Sequence, residues 1–308
     1  MAIDRLITRI NELKAPVVVG LDPTLEILPK QIKNKWLNAD LTPLTASTAF
    51  IEFNKTIIDN IADIVPAVKL QVAMYEMFGA LGIDAYIKTA DYAKKKGMIV
   101  IGDIKRGDIS STADAYARAH LGRVQIESTR HKVFGDADFV TVNAYMGHDT
   151  VAPFLEDCDK HDKGIFVLVK TSNPSSGDIQ DLKLENGKPL YEHMGTLVKQ
   201  WGKYTIGTNG FSKVCAVVGA TYAEEAKNLR KLMPNTFFLV PGYGAQGGKA
   251  KDMAVFFTRG IEGAIVNSSR GIIGAHKQDK YSTFGEENYG EAARAAAQDM
   301  ITDIIEAL

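Results

Sequence analysis

The run Met98-Ile99-Val100-Ile101-Gly102-Asp103-Ile104-Lys105-Arg106-Gly107-Asp108 decides how this chain folds. Its first half is short, rich in β-branched residues and preceded by the breaker Gly97, which predicts a buried strand. Side chains alternate faces along a strand, so Asp103 and Lys105 project to one side, ~7 Å apart along the backbone. An acid and an ammonium side by side at a strand's carboxyl end are either a structural ion pair or part of a catalytic site. The surroundings must distinguish the two.

Seven more runs share this character. With 98–105 they give eight predicted strands, at 17–22, 67–71, 98–105, 139–145, 165–172, 214–221, 237–243 and 264–270. None shows clean polar/apolar alternation, the pattern of strands covered on both faces. Helical patterns lie between most of them. Phe50, Phe53, Ile57, Ile58 and Ile61 form one stripe; Leu190, Met194, Leu197, Val198 and Trp201 form another; Ala293, Ala296, Met300, Ile304 and Ile305 form a third near the end. Thr221-Tyr222-Ala223-Glu224 reads as a capping box opening the helix after the sixth strand. Eight strands alternating with helices predict an α/β fold, a (β/α)8 TIM barrel, in preference to a doubly wound open sheet. A single domain is expected across 1–308, with loop insertions near 23–43 and 173–188.

Composition narrows the class. The chain has 308 residues, is 45% hydrophobic and carries a net charge of −1. That length can bury a large core, and a near-neutral balance lacks the basic excess of a nucleic-acid binder. No apolar run is long enough to span a membrane, and residues 1–14 have no signal-peptide core. Cys158 and Cys215 are far apart, with no C-x-x-C spacing. A cytoplasmic protein without disulfides is expected.

In a barrel the active site forms at the carboxyl ends of the strands. Those positions hold Asp22, Lys69, Asp103 with Lys105, Asn143, Ser172, Thr221, residues 242–246 and Arg270. Charges so close to buried strands must pair with one another or face a ligand, because burying a lone ion costs several kcal/mol. Two acids and two lysines can form an alternating array.

Gly242-Tyr243-Gly244-Ala245-Gln246-Gly247 also fits the dinucleotide-turn pattern G-x-G-x-x-G, following a strand and preceding a predicted helix. The ribose-holding acid should end the next strand, which instead ends Ser268-Ser269-Arg270; Glu262 precedes that strand. Phosphate suits this corner better: glycine N–H groups, a helix N-terminus and an arginine fork would meet it after the seventh and eighth strands. The six histidines show no metal-ligand spacing, and His148 reads as a loop residue. No G-x-S-x-G elbow or Cys–His pairing is present.

Together these residues resemble the orotidine 5′-phosphate decarboxylase family, in its longer bacterial branch. The resemblance rests on Asp103-x-Lys105-x-x-Asp108-Ile109-x-x-Thr112, Gly20-Leu21-Asp22-Pro23, Val68-Lys69-Leu70-Gln71, the stretch Pro241 to Gly248, and Val266-Asn267-Ser268-Ser269-Arg270-Gly271. It implies a cofactor-free and metal-free enzyme converting orotidine 5′-monophosphate to uridine 5′-monophosphate, the last step of pyrimidine nucleotide synthesis. Lys69, Asp103, Lys105 and Asp108 would form the family's charge array, with Lys105 the proton donor and Asp103 against the departing carboxylate. Asp22 would contact the ribose, Ser172 the pyrimidine, and Gln246 and Arg270 the phosphate, with Ser269 also binding substrate. Asp108 and Thr112 would enter the neighbouring subunit's site in a homodimer. Ser110 stands where glycine is common in the longer branch, and Ser269 where shorter members have glycine. The rivals are a metal-dependent D-x-K-x-x-D barrel enzyme acting on another sugar phosphate, and a non-catalytic phosphate-ligand binder. The Lys69 array disfavours both.

Overall fold

A computed structural model describes residues 1–38, 41–244, 248 and 250–308. The strands are β1 (Val17–Gly20), β2 (Ala67–Gln71), β3 (Ile99–Arg106), β4 (Val124–Ile126), β5 (Thr129–His131), β6 (Phe139–Val142), β7 (Gly164–Lys170), β8 (Ser212–Val218), β9 (Thr236–Val240) and β10 (Ala264–Ser268). Eight of them close in the order β1-β10-β9-β8-β7-β6-β3-β2. Every pairing in that ring is parallel, with α-helices between most consecutive barrel strands, so the fold is a (β/α)8 barrel as expected.

The remaining pair, β4 and β5, is an antiparallel hairpin standing outside the barrel, exposed along most of its length. Strands of three residues carry too little periodicity to be legible in sequence. Most predicted strands also end early. Asp22, Asn143, Ser172, Thr221, Tyr243 and Arg270 lie past the last paired residue of their strands, because polar tips leave the ladder to form the site-bearing loops.

The interior of the barrel is graded. Along β2 the inward residues climb from Ala67 to Lys69, along β3 from Ile99 and Ile101 to Asp103, and along β6 from Phe139 to Thr141. The lower, apolar layers form one cluster with Phe166, Phe237 and Ile265. It is closed from below by the helix Ala2–Leu13, whose buried Ala2, Ile3, Leu6, Ile7 and Ile10 repeat at helical spacing. Burial of a side chain of this size contributes ~1.5–3 kcal/mol, so this helix is a plug that keeps water out of the barrel's floor. The outward strand residues, including Val68, Val100 and Val266, join the larger cluster beneath the helices.

The stripe Phe50, Phe53, Ile57, Ile58 and Ile61 is buried in the helix Pro43–Ile61, opened by Thr42 in a reciprocal cap with Thr45. In the last helix, Tyr289–Glu306, the stripe is buried except at Ile305, which is 40% exposed. The capping box at Thr221 does not form. The helix Ala223–Leu232 begins after Tyr222 with no side-chain cap, and the Tyr222 hydroxyl instead meets Ser176 Oγ at 3.1 Å. After β9 the described residues form short 3-10 turns, Ala250–Asp252 and Ala254–Phe256, where a helix was expected. Among the described residues no helix is long and apolar enough to cross a membrane.

Both long connections hold short structure. Residues 23–43 contain the helix Lys30–Trp36, tied to Glu286 through the Lys30 N–H. Residues 173–188 contain a 3-10 turn and the helix Gly177–Gln180. The buried Lys170 reaches Asp181 at 2.5 Å, and Gln180 bonds both the N–H and the hydroxyl of Thr171.

Candidate active site

The graded interior opens at the carboxyl ends of the strands into a cavity of about 800 Å3. At its β1–β3 side four charges stand in sequence. Lys69 Nζ lies 4.0 Å from Asp22 Oδ1 and 2.8 Å from Asp103 Oδ2, and Lys105 Nζ lies 2.5 Å from Asp103 Oδ1. Acid and base alternate, two of each. The opposite wall is apolar, formed by Leu168 of β7, Val217 of β8 and Leu239 of β9. Such a wall lowers the local dielectric, so each charge in the array acts more strongly than it would in water.

Asp103 is the centre of this arrangement. Its Oδ1 accepts from Lys105 Nζ and, at 2.9 Å, from Thr141 Oγ1. Its Oδ2 accepts from Lys69 Nζ and, at 3.0 Å, from Gln71 Nε2. Burial pushes the carboxyl up, but the Lys69 and Lys105 ammonium groups outweigh it and hold Asp103 well below the usual carboxylate range. Lys69 shows the converse balance: burial alone would lower its pKa, and Asp103 and Asp22 raise it instead. The side chain of Lys69 is 5% exposed and that of Lys105 is 45% exposed. Lys69 is therefore locked in the floor, and Lys105 faces the cavity.

Gln71 and Thr141 were not identified from sequence. Gln71 is in register with Asp103 across the β2–β3 ladder, two positions after Lys69 and hence on the same face. Thr141 is a polar residue in the apolar run of β6. Both signals were present, but neither residue type demands a partner as a buried charge does.

Of the remaining expected residues, Asp22, Ser172, Ser269 and Arg270 line the same cavity. Asp22 Oδ1 accepts the Gln71 N–H at 3.2 Å. Ser269 packs so tightly over Gly20 that a Cβ there would stand 1.8 Å from Ser269 Oγ, which explains the glycine before Leu21-Asp22. Arg270 is exposed at the rim, and among the described residues it has no carboxylate partner. Gln246 lies outside the described residues. Among the described residues of the glycine loop, the Gly244 N–H is taken by the Gly248 carbonyl and the Gly248 N–H by the Gly242 carbonyl, so neither is a donor left over for a ligand.

Asp108 and Thr112 do not reach this cavity. Asp108 lies past β3 and accepts the N–H of Ile109 at 2.7 Å; Thr112 is exposed in the first turn of the helix Ser110–His120. Ser110 itself has φ 42°, a left-handed conformation that glycine adopts without strain, so the departure noted at this position has a backbone cost. Asn143 and Thr221 are exposed and outside the cavity lining. His148 is the exposed first residue of the helix His148–His161, not a loop residue, and its ring lies 5.6 Å from that of Trp201. Glu262 accepts from Asn11 of the plugging helix, below the barrel and away from the glycine loop. Among the described residues no group of three or more His, Cys, Asp or Glu is placed to hold a metal ion.

Known proteins resemble this chain in sequence and fold. The profile of the orotidine 5′-phosphate decarboxylase / HUMPS family matches residues 15–282. The orotidine 5′-phosphate decarboxylase of Petrotoga mobilis is 43% identical over 306 residues, covering 99% of this chain and 98% of that protein. The protein of the same name from Caldicellulosiruptor saccharolyticus is 42% identical over 287 residues, covering 93% of each. Among solved structures, the Leishmania donovani OMP decarboxylase superposes with a TM-score of 0.74 at 28% identity, covering 99% of this chain and 98% of that one. Fold, charge array and full-length similarity agree, and the chain belongs to the orotidine 5′-phosphate decarboxylase / HUMPS family.

Proposed function

We propose that this protein decarboxylates orotidine 5′-monophosphate to uridine 5′-monophosphate by electrostatics alone, with Lys105 as the acid. The supporting observation is the Asp103 carboxylate, buried and ionised between Lys69 and Lys105 at the mouth of a nucleotide-sized cavity. Full-length relatives carrying the decarboxylase name support the same reaction.

The bond that breaks joins the carboxylate to the pyrimidine ring. Its electron pair stays on the ring carbon, where no neighbouring carbonyl delocalises it, and carbon dioxide departs. The Lys105 ammonium, fixed beside that carbon, stabilises the developing charge and then transfers a proton to it; water reprotonates the amine. Asp103 faces the carboxylate before it leaves, and Lys69 holds Asp103 in place. Asp22 takes the ribose, Ser172 the pyrimidine, and Arg270 with Ser269 and Gln246 the phosphate. Arg270 suits this role because it is a planar donor fork at the rim, without a carboxylate of its own among the described residues.

Asp108 and Thr112 complete the site of a second subunit in a homodimer. Their position outside their own cavity supports that reading. Both cysteines are buried free thiols, which suits a reducing cytoplasm.

The test is ultraviolet absorbance of orotidine 5′-monophosphate with purified protein in excess chelator. Absorbance should fall at the same rate with and without chelator. Stable absorbance with and without chelator would overturn the assignment, and loss only when metal is supplied would overturn the metal-free mechanism.

A further inference from the structure

The β3–β6 ladder contains an irregularity at the catalytic motif. Ile101 pairs with Phe139 and Gly102 with Val140, yet the next pair is Arg106 with Val142. Three residues of β3, Asp103, Ile104 and Lys105, therefore oppose one residue of β6, Thr141. A bulge of this kind leaves backbone donors without ladder partners and re-aims the side chains on the bulged strand. Lys105 has φ 47°, a left-handed conformation that a lysine holds only when its surroundings impose it.

Thr141 meets both ends of the bulge. Its Oγ1 accepts the Lys105 N–H at 2.9 Å and donates to Asp103 Oδ1 at 2.9 Å. The same Asp103 oxygen receives Lys105 Nζ at 2.5 Å. One hydroxyl thus closes a ring through the Lys105 backbone, the Lys105 ammonium and the Asp103 carboxylate. The threonine is 1% exposed, with its strand fixed on the far side by the Thr141–Phe166 register. A β-branched side chain there has few rotamers, so the hydroxyl has one place to point.

We propose that Thr141 is a positioning residue for the decarboxylation, its hydroxyl clamping the Lys105 backbone in the left-handed bulge and so aiming the ammonium at the reacting carbon. This rests on Lys105 being the proton donor. Thr141 borders the same cavity at 1% exposure and acts through Lys105. The partners of its hydroxyl are the Lys105 N–H and Asp103 Oδ1, not the substrate-binding side chains of Asp22 and Arg270, so its loss acts on turnover more than on affinity.

Thr141→Val removes the hydroxyl and keeps the shape; Thr141→Ser keeps the hydroxyl and removes the methyl. Orphaning the Lys105 N–H and misplacing the ammonium should lower kcat on the order of 10- to 100-fold in the valine variant. KM for orotidine 5′-monophosphate and the affinity for uridine 5′-monophosphate should stay within about threefold, and the serine variant should recover most of the turnover. Three results would overturn the proposal: an unchanged kcat in Thr141→Val, equal losses in the valine and serine variants, or a parallel fall in kcat, product affinity and thermal stability. Should the valine variant fail to fold, Thr141→Ala carries the same comparison with serine. Loss of turnover in Lys105→Ala with full activity in Thr141→Val would sink the clamp alone. Full activity in Lys105→Ala would sink the underlying mechanism.

Discussion

Lys105 and Lys69 hold the same carboxylate, yet the structure assigns them opposite consequences on substitution. Lys105 is half-exposed and lies at a strand end. Replacing it with alanine leaves Asp103 three donors, Lys69, Gln71 and Thr141, so no buried charge is orphaned. An ion pair with one solvated partner contributes ~0–1 kcal/mol to folding, and in a chain of this length that moves the melting temperature by only a few degrees. The cost falls on chemistry. Losing one preorganised electrostatic group typically lowers turnover ~10²–10³-fold, and Lys105 is also the proton source, so the loss should reach at least ~10³-fold.

Lys69→Met reverses the pattern. The ammonium is buried between Asp22 and Asp103, and its removal leaves two carboxylates facing each other across an apolar gap. Breaking a buried pair costs ~3–5 kcal/mol, and the melting temperature should drop by several degrees. The assay pairs absorbance decay of orotidine 5′-monophosphate with thermal unfolding of each variant. Near-normal turnover in Lys105→Ala would refute the proton-donor role. A melting loss in Lys105→Ala as large as in Lys69→Met would refute the division of labour between the two lysines.

Arg270→Ala should lose catalytic efficiency toward the nucleotide with little change toward the phosphate-free nucleoside, because binding energy from a remote phosphate can serve site organisation as well as affinity; equal losses on both substrates would make Arg270 structural. Mixing Lys105→Ala with Asp108→Ala protein under subunit exchange should restore activity toward one working site per mixed dimer, since one site then carries both lesions and the other neither; exchange without recovery would return Asp108 to its own subunit. The acid limb has a definite sign. Asp103 titrates lower in the folded chain than in the unfolded one, so its stabilisation is present above the unfolded value of about 4 and is lost as pH falls through the folded one. The melting-temperature gap between wild type and Asp103→Asn should therefore be full near neutrality and close below about pH 4; a pH-independent gap would show that the carboxylate's charge is not what stabilises it.

The sequence alone pointed to the barrel: runs without alternation need both faces covered, and eight of them spaced by helical patterns favour closure over a doubly wound open sheet. It also determined Asp22, Lys69, Asp103 and Lys105 as one group: charges beside buried strands cannot stand alone, so their types and spacing already imply that they pair. The one pair of three-residue strands, the 3-10 turns among the described residues after β9 where a helix was expected, and a capping box at Thr221 that does not form were decided by tertiary contacts, which outweigh local preferences of about 1 kcal/mol. Only the tertiary structure brought Gln71 and Thr141 onto Asp103. Neutral side chains are content with water, with backbone or with one another, so nothing in their one-dimensional setting says which they will meet. The same holds for the bulge at Lys105: strand register is fixed by which side chains pack against a neighbouring strand, and that neighbour, 36 residues along the chain at Thr141, is chosen only when the barrel closes.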